Sequence, residues 1–489
     1  MTPFSKAVRS MSMIGMVADN QGGYVRFVFA QANVGVTRKG PYVHFMKLDG
    51  KLKIKSQSDT YLSLDDKTNI QPVAGFETGK YLTMVTASSD EGLNNLHLAY
   101  WQFDLENFTV VKKNVSLVSF PFNKNKDYEF RYYRTKDLKK FGLTILEEGK
   151  KKEASILHCV SLNDDFSTNY KRSITLPFSG RDGNIVQTVI TSNGNICTLL
   201  SYPARKKDDF LVSDILVASK DQEHLIPFLY KEEPVINCAI GLSGTGDLMA
   251  GGMTSPSKKG YITSFVLGKI RNGNKWEFLK EEVFTESLLT SLNKADKRGV
   301  RKDYHVRSIS GRANGTVDVI VHYCLQERNF GGGTNTTVYD LGEISDALIF
   351  SYENEKLVST IPIKRNLEYN GRTGTKTNPQ YLGISKVFTI ENDLYLMYFD
   401  NPSNTIGIND GGKIKSVDFT KGTFKLARID KNNKPTQQQL IQFERHGHFS
   451  LFYDLDIHTF NEKKYILSTD KYKFLSKNVR TESILLELN

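Results

Sequence analysis

No run of apolar residues in this chain approaches the roughly 18 needed to cross a bilayer as a helix, so an integral helical membrane protein is excluded. Cysteine is scarce, with Cys159, Cys197, Cys238 and Cys324 each inside a different apolar run and none at Cys-x-x-Cys spacing. That removes a zinc ribbon or a dithiol centre and leaves four small buried hydrophobes as the reading. No Gly-x-Ser-x-Gly elbow and no Asp-x-Asp-x-Asp-Gly calcium loop occurs. The glycines of NFGGGTNTT (329–337) lack the Lys-Ser/Thr and the following helix of a phosphate loop. The opening MTPFSKAVRSMSMIGMVADN has no apolar core of about 7–15 residues and no small-residue cleavage site. It is not read as a secretory signal: the expected compartment is cytoplasmic, or the cell envelope if the start is truncated.

What is present is a repeated pair of tight-turn signals separating short apolar runs. MIGMVAD, Gly22-Gly23 and YVRFVFA open the series, which returns as IVQTVIT, Asn193-Gly194, NICTLLSY and as VRSIS, Asn314-Gly315, TVDVIVHYCL. A second hairpin follows each of the first seven, turning at Asp49-Gly50, Glu106-Asn107, Asp164-Asp165, Asp221-Gln222, Asn272-Gly273, Glu353-Asn354 and Asn432-Asn433. Asn-Gly and Gly-Gly tolerate the positive φ of two-residue hairpin loops, and Asp or Asn bonds back to its own backbone. The flanking runs are rich in Val, Ile, Tyr, Phe and Thr, which is strand composition.

Four antiparallel strands per repeat predict an all-β fold, a single β-propeller over 1–489 whose four-stranded blades stack because one such sheet cannot bury both faces alone. Eight blades are expected, with seven plus a terminal extension as the alternative. The last repeat is one strand short, and residues 4–13 are the candidate closing strand that would cover its open edge. One short helical insertion is expected in 284–303, where Phe284, Leu288 and Leu292 share a helix face behind a Thr285 N-cap. Trp101 and Trp276 are the only tryptophans, so neither a Trp-Asp ring nor the tryptophan docking of quinoprotein propellers is available.

The formal net charge is +11, with cations gathered in 123–140 and 294–302. Most fall in turns and loop ends, so they read as solvated edge charges and no nucleic-acid partner is expected. His446-Gly447-His448 offers two imidazoles where zinc needs at least a third ligand, so no metal is assigned, nor any other cofactor. His305 and His322 read as satisfied core histidines.

The strand 1–2 and 3–4 turns are uniformly tight. Long insertions (284–303, 326–344, 366–380, 401–421, 443–450) all fall in the strand 2–3 loops and blade crossings, on the opposite side. Repeat proteins place such insertions on the binding face. The binding-face candidates are therefore Tyr304, Phe330, Asn335, Tyr339, Tyr369, Arg372 and His446.

SITLPF (173–178), EEVFTESL (281–288), YHVRSISGRANGTVDVIVHYCLQE (304–327) and LYLMYFDNPSN (394–404) follow one another as in a family of large β-rich proteins of Bacteroidetes, which the chain resembles over nearly its whole length. The resemblance implies a propeller-like fold and an envelope location and carries no activity. The expected function is a non-catalytic binding or scaffold propeller recognising a protein or glycan. The alternative is a polysaccharide-active hydrolase or lyase with carboxylates at the propeller mouth.

Overall fold

A carboxylate or hydroxyl at the head of most turns explains why they are tight. Asp19 Oδ1 accepts from Gln21 N and Gly23 N, Asp49 Oδ1 from Lys51 N and Lys53 N, and Asp430 Oδ1 from Asn432 N and Lys434 N. Thr135, Thr191 and Ser243 do the same with their hydroxyls, accepting from Lys140 N, Asn195 N and Asp247 N. Each side chain replaces backbone partners that a reversing chain cannot supply.

The computed structural model describes residues 14–19, 21–30, 41–51, 53–62, 69–90, 94–135, 137–150, 153–180, 182–203, 211–254, 260–271, 273–330, 338–372, 384–404, 415, 422–442, 453–461, 464–472 and 479–487. Five separate sheets contain four strands each, and a nine-stranded sheet joins two more four-strand meanders with one added strand. In chain order the first strands of these seven meanders are Ile14–Ala18, Asn69–Thr78, Tyr128–Arg134, Asn184–Ile190, Ile236–Leu242, Tyr304–Gly311 and Ile384–Ile390. The last sheet along the chain holds three strands, Tyr453–Asn461, Lys464–Tyr472 and Val479–Glu487, and two minor sheets, of two and three short strands, lie within 229–301. The chain is thus an all-β protein of antiparallel four-stranded blades, the β-propeller class. Residues 4–13, expected to close the last blade, lie outside the described residues.

The chain divides into two compact units, 1–182 with 455–471 and 480–489, and 183–454 with 472–479. In the first unit the first strands of sheets one to three lie side by side. An apolar cluster fills each gap: Phe27, Phe45, Trp101 and Phe103 between sheets one and two, and Phe76, Leu98, Phe141 and Ile145 between sheets two and three. Turn residues drive plugs into these clusters. Phe108, from the outer turn of sheet two, stacks on Phe45 at 4.9 Å, and Phe166, from the outer turn of sheet three, stacks on Tyr100 at 4.9 Å. Both sit at positive φ, 61° and 66°, so the strain of the turn is offset by burying a ring.

In the second unit the first strands of sheets four to seven are also successive neighbours. Here polar side chains near β-bulges tie each sheet to the next. Gln187 Oε1 accepts from Ile240 N at 3.1 Å, Asn237 Nδ2 donates to the Tyr304 carbonyl at 2.8 Å, and Arg307 Nε donates to the Ile384 carbonyl at 3.1 Å. The register shifts that aim these groups fall between Ile185 and Gln187, Ile236 and Ala239, and Val306 and Ser308. Sheets five and six come closer still, through a parallel pairing of Leu242 with Ser310.

The helix is Glu286–Thr290 with Thr285 Oγ1 accepting from Leu288 N, as expected, and it joins sheets five and six. Its neighbourhood buries Phe284, Leu289 and Leu292, whereas Leu288 is only partly packed. Among the described residues no helix is long and apolar enough to cross a membrane. None of the four cysteines forms a disulfide; Cys159, Cys197 and Cys238 are buried as expected, and Cys324 is half-buried. Burial pushes the Cys197 and Cys238 thiols up to about 12. Within the basic segments Lys126 pairs with Glu153, Arg131 with Glu129, Lys294 with Glu343 and Arg298 with Asp296.

Candidate functional site

Sheet six departs from the pattern. Its second and third strands, Val317–Phe330 and Val338–Glu353, are 14 and 16 residues long, while the first and fourth, Tyr304–Gly311 and Lys356–Ile363, have 8 each. Beyond Tyr323, where pairing with the first strand stops, the central hairpin runs on from Cys324 to Phe330 against Val338 to Ile344. A fifth strand, Leu367–Arg372, pairs with this extension from Ile344 to Tyr339. At about 3.3 Å per residue the extra length is about 20 Å. Residues 324–330, 338–344 and 367–372, most of them in segments read from sequence as loops, therefore form a three-stranded arm. Long strands formed because their pairing partners are one another, which a glycine- and threonine-rich composition does not announce.

The structure brings part of the predicted set together on this arm. Phe330 pairs with Val338, Tyr339 pairs with both Asn329 and Arg372, and Tyr369 pairs with Gly342. Asn335 and His446 lie outside the described residues. Tyr304 is a correction: it is 0% exposed, packs its ring edge-on against Tyr323 at 5.4 Å, and belongs to the core shared by sheets five and six. It starts a strand whose first side chain faces inward, so it offers no binding surface.

At the base of the arm the chain switches from fourth to fifth strand, and residue 365 is buried in that switch. Arg365 is 1% exposed, and none of its Nε, Nη1 and Nη2 has a hydrogen-bond partner. Its guanidinium lies 5.6 Å from the centre of the Tyr398 ring of sheet seven. Its own backbone is fixed, with its N–H donating to Asp346 Oδ1 at 3.4 Å and its carbonyl accepting from Ser345 Oγ at 3.2 Å. Burial lowers its pKa, opposed chiefly by Asp400, Tyr398 and Asp346. On the sheet-seven side Lys425 Nζ stands 3.4 Å from Asp400 Oδ2, and Asn404 Nδ2 donates to Asp400 Oδ1 at 2.9 Å. Burial raises Asp400 and lowers Lys425.

His322 closes this polar layer. It is 3% exposed and its Nδ1 has no partner, so the expectation of a satisfied core histidine is corrected. Burial, then the Arg365 charge, holds its pKa well below the ordinary value and keeps the ring neutral. Below the layer the interface is apolar, built from Ile320, Ala347, Ile349, Leu396 and Ala427.

Asp346 joins three segments: it accepts from Asn293 Nδ2 at 2.9 Å, from Asn293 N and from Arg365 N. Burial raises its carboxyl from the ordinary 3.8 to about 6 despite these bonds. A folded-state pKa above the unfolded one contributes stability below about pH 4, and that contribution is lost as pH rises through 6. Asp346→Asn keeps an acceptor and removes the charge. It should raise stability by up to about 3 kcal/mol near pH 8, two pKa units at about 1.4 kcal/mol each, and change little near pH 4. Urea titrations at the two pH values check this; equal shifts at both would show that the carboxyl is not the titrating group.

A concavity of about 330 Å³ lies beside the helix, lined by Phe265, Phe284, Phe350, Glu282, Ser287 and Thr360. Among the described residues no three His, Cys, Asp or Glu side chains converge as a metal site requires.

Sequence reading missed Arg365, Asp346, Asp400 and Lys425. Two of them did leave a signal, a charge inside an apolar run: Asp346 in ISDALIF and Lys425 in TFKLARI.

No protein-family model matches the chain, and no curated protein does. Solved structures do. The β-propeller domain of the Trilobed protease from Pyrococcus furiosus aligns at 10% identity over 89% of this chain and 97% of that one, with a TM-score of 0.35. The acylaminoacyl peptidase of Pyrococcus horikoshii aligns at 8% identity over 96% of this chain, with a TM-score of 0.35, and the match spans 58% of that peptidase. The endo-arabinase of Bacteroides thetaiotaomicron aligns at 12% identity over 57% of this chain and 96% of that one, with a TM-score of 0.25.

Proposed function

We propose that this β-propeller is a non-catalytic binding module and that the arm of sheet six captures its partner, a protein or glycan. The arm carries the reading: a blade needs four strands of matched length to stack, and the 14- and 16-residue strands with their fifth partner exceed that need. The aromatic and basic residues Phe330, Tyr339, Tyr369 and Arg372 fall on its strands, residue types that anchor interfaces. The engagement of the carboxylates of Asp346, Asp400 and the turns supports the same reading over the hydrolase or lyase. Asp346 and Asp400 are 0% and 3% exposed and already bonded, and the turn carboxylates hold their own backbones.

The test excises 328–340 and closes the hairpin with Asn-Gly, then compares binding to a glycan array and to proteins of the native organism's envelope fraction. Binding by the full chain, lost on excision with the melting temperature held, is the expected result. Binding that survives excision overturns the arm assignment. Release of reducing ends from polysaccharide by the full chain would favour the hydrolase.

A further inference from the structure

We propose that the polar layer between sheets six and seven is a binding site for a small oxyanion, a carboxylate or a phosphate, held by Arg365 and His322. Three guanidinium nitrogens and one imidazole nitrogen lacking partners, on side chains 1% and 3% exposed, are donors that a folded protein ordinarily satisfies. They belong to one place: His322 and Ile363 both pair with Ala347, and Arg365 follows Ile363 by two residues. The His322 ring also feels the Arg365 charge directly.

Charge points the same way. Asp400 is matched by Lys425, and Asp346 is held by the amide donors of Asn293, so neither forms an ion pair with Arg365. Arg307 adds a further positive charge that both His322 and the Cys324 thiol experience. A guanidinium fork presents parallel N–H groups to two oxygens of one anion, and a neutral imidazole with its proton on Nδ1 supplies one donor more. The face of Tyr398 backs the guanidinium and leaves its edge for the anion. Lys364, Asn366, Arg307 and Cys324 around it are only half-buried.

The test measures thermal unfolding and calorimetric binding of the full chain with inorganic phosphate and with acetate, at ionic strength fixed with sodium chloride. Saturable stabilisation by one or both is expected, and the two arms tell phosphate from carboxylate. Arg365→Lys should weaken binding by about tenfold or more, the fold-change that goes with one charge-assisted hydrogen bond. His322→Phe should weaken it less, and Arg372→Met on the arm should leave it unchanged. No saturable effect of either anion on the unmodified chain overturns the proposal, as does equal binding by Arg365→Lys, and both readouts are independent of partner capture.

Discussion

Arg312→Met should destabilise the second unit by about 3–5 kcal/mol, because it leaves a carboxylate buried without its cation. Arg312 and Asp318 are each 0% exposed and form a two-pronged pair, Nε to Oδ2 at 2.7 Å and Nη2 to Oδ1 at 2.8 Å. Ser351 Oγ donates to Asp318 Oδ1 at 2.7 Å, which ties the third strand of sheet six to the second. The remaining nitrogen, Nη1, donates to the Asp430 carbonyl at 2.8 Å, at the outer turn of sheet seven. One side chain thus holds two sheets at their tight-turn ends. Urea unfolding of the variant reads the loss. The double variant Arg312→Met, Asp318→Leu should recover most of it, since an apolar pair carries no desolvation cost. A single variant within about 1 kcal/mol of the unmodified protein would mean that the pair's attraction never exceeded its cost of burial.

Gly311→Ala should cost about 3 kcal/mol, at the upper end for forcing one methyl into a packed site. A Cβ there would stand 1.9 Å from Gly244 N and 2.1 Å from Ser243 C, and neither backbone atom can rotate away. These atoms belong to the turn of sheet five, next to the parallel pairing of Leu242 with Ser310. Hydrogen exchange would show where the cost falls: amides of Ser310 and Leu242 should lose protection first, and unchanged protection there would refute close approach as the reason for glycine.

Hairpins were legible in the sequence because their causes are local. Asp49, Asp104 and Asp430 bond to amides two to four residues away, so a window of six residues contains the whole interaction. Gly315 at φ 90° announces its turn in the same way. The polar layer was not legible, since Arg365 and Tyr398, or Arg312 and Asp430, become neighbours only after two sheets have stacked. Lys425 and Asp318 did break apolar runs, and a reading that treats each such break as a demand for a partner would have flagged them. Tyr304 failed for the converse reason. It follows a basic crossing segment, and its inward aim is set by the register with Tyr323, which sequence position alone does not give. Phe330, Tyr339 and Arg372, read from sequence as loop residues, lie instead on paired strands.

The order of strands within the sheets bears on how the chain comes to be folded. Almost every pairing joins a strand to the next one along the chain, so loop closure at each step is short and entropically inexpensive. A sheet can therefore assemble hairpin by hairpin while later residues are still being synthesised. The Leu242–Ser310 contact and the Arg312 clasp join residues farther apart in the chain. Closing them costs more loop entropy than closing any hairpin does.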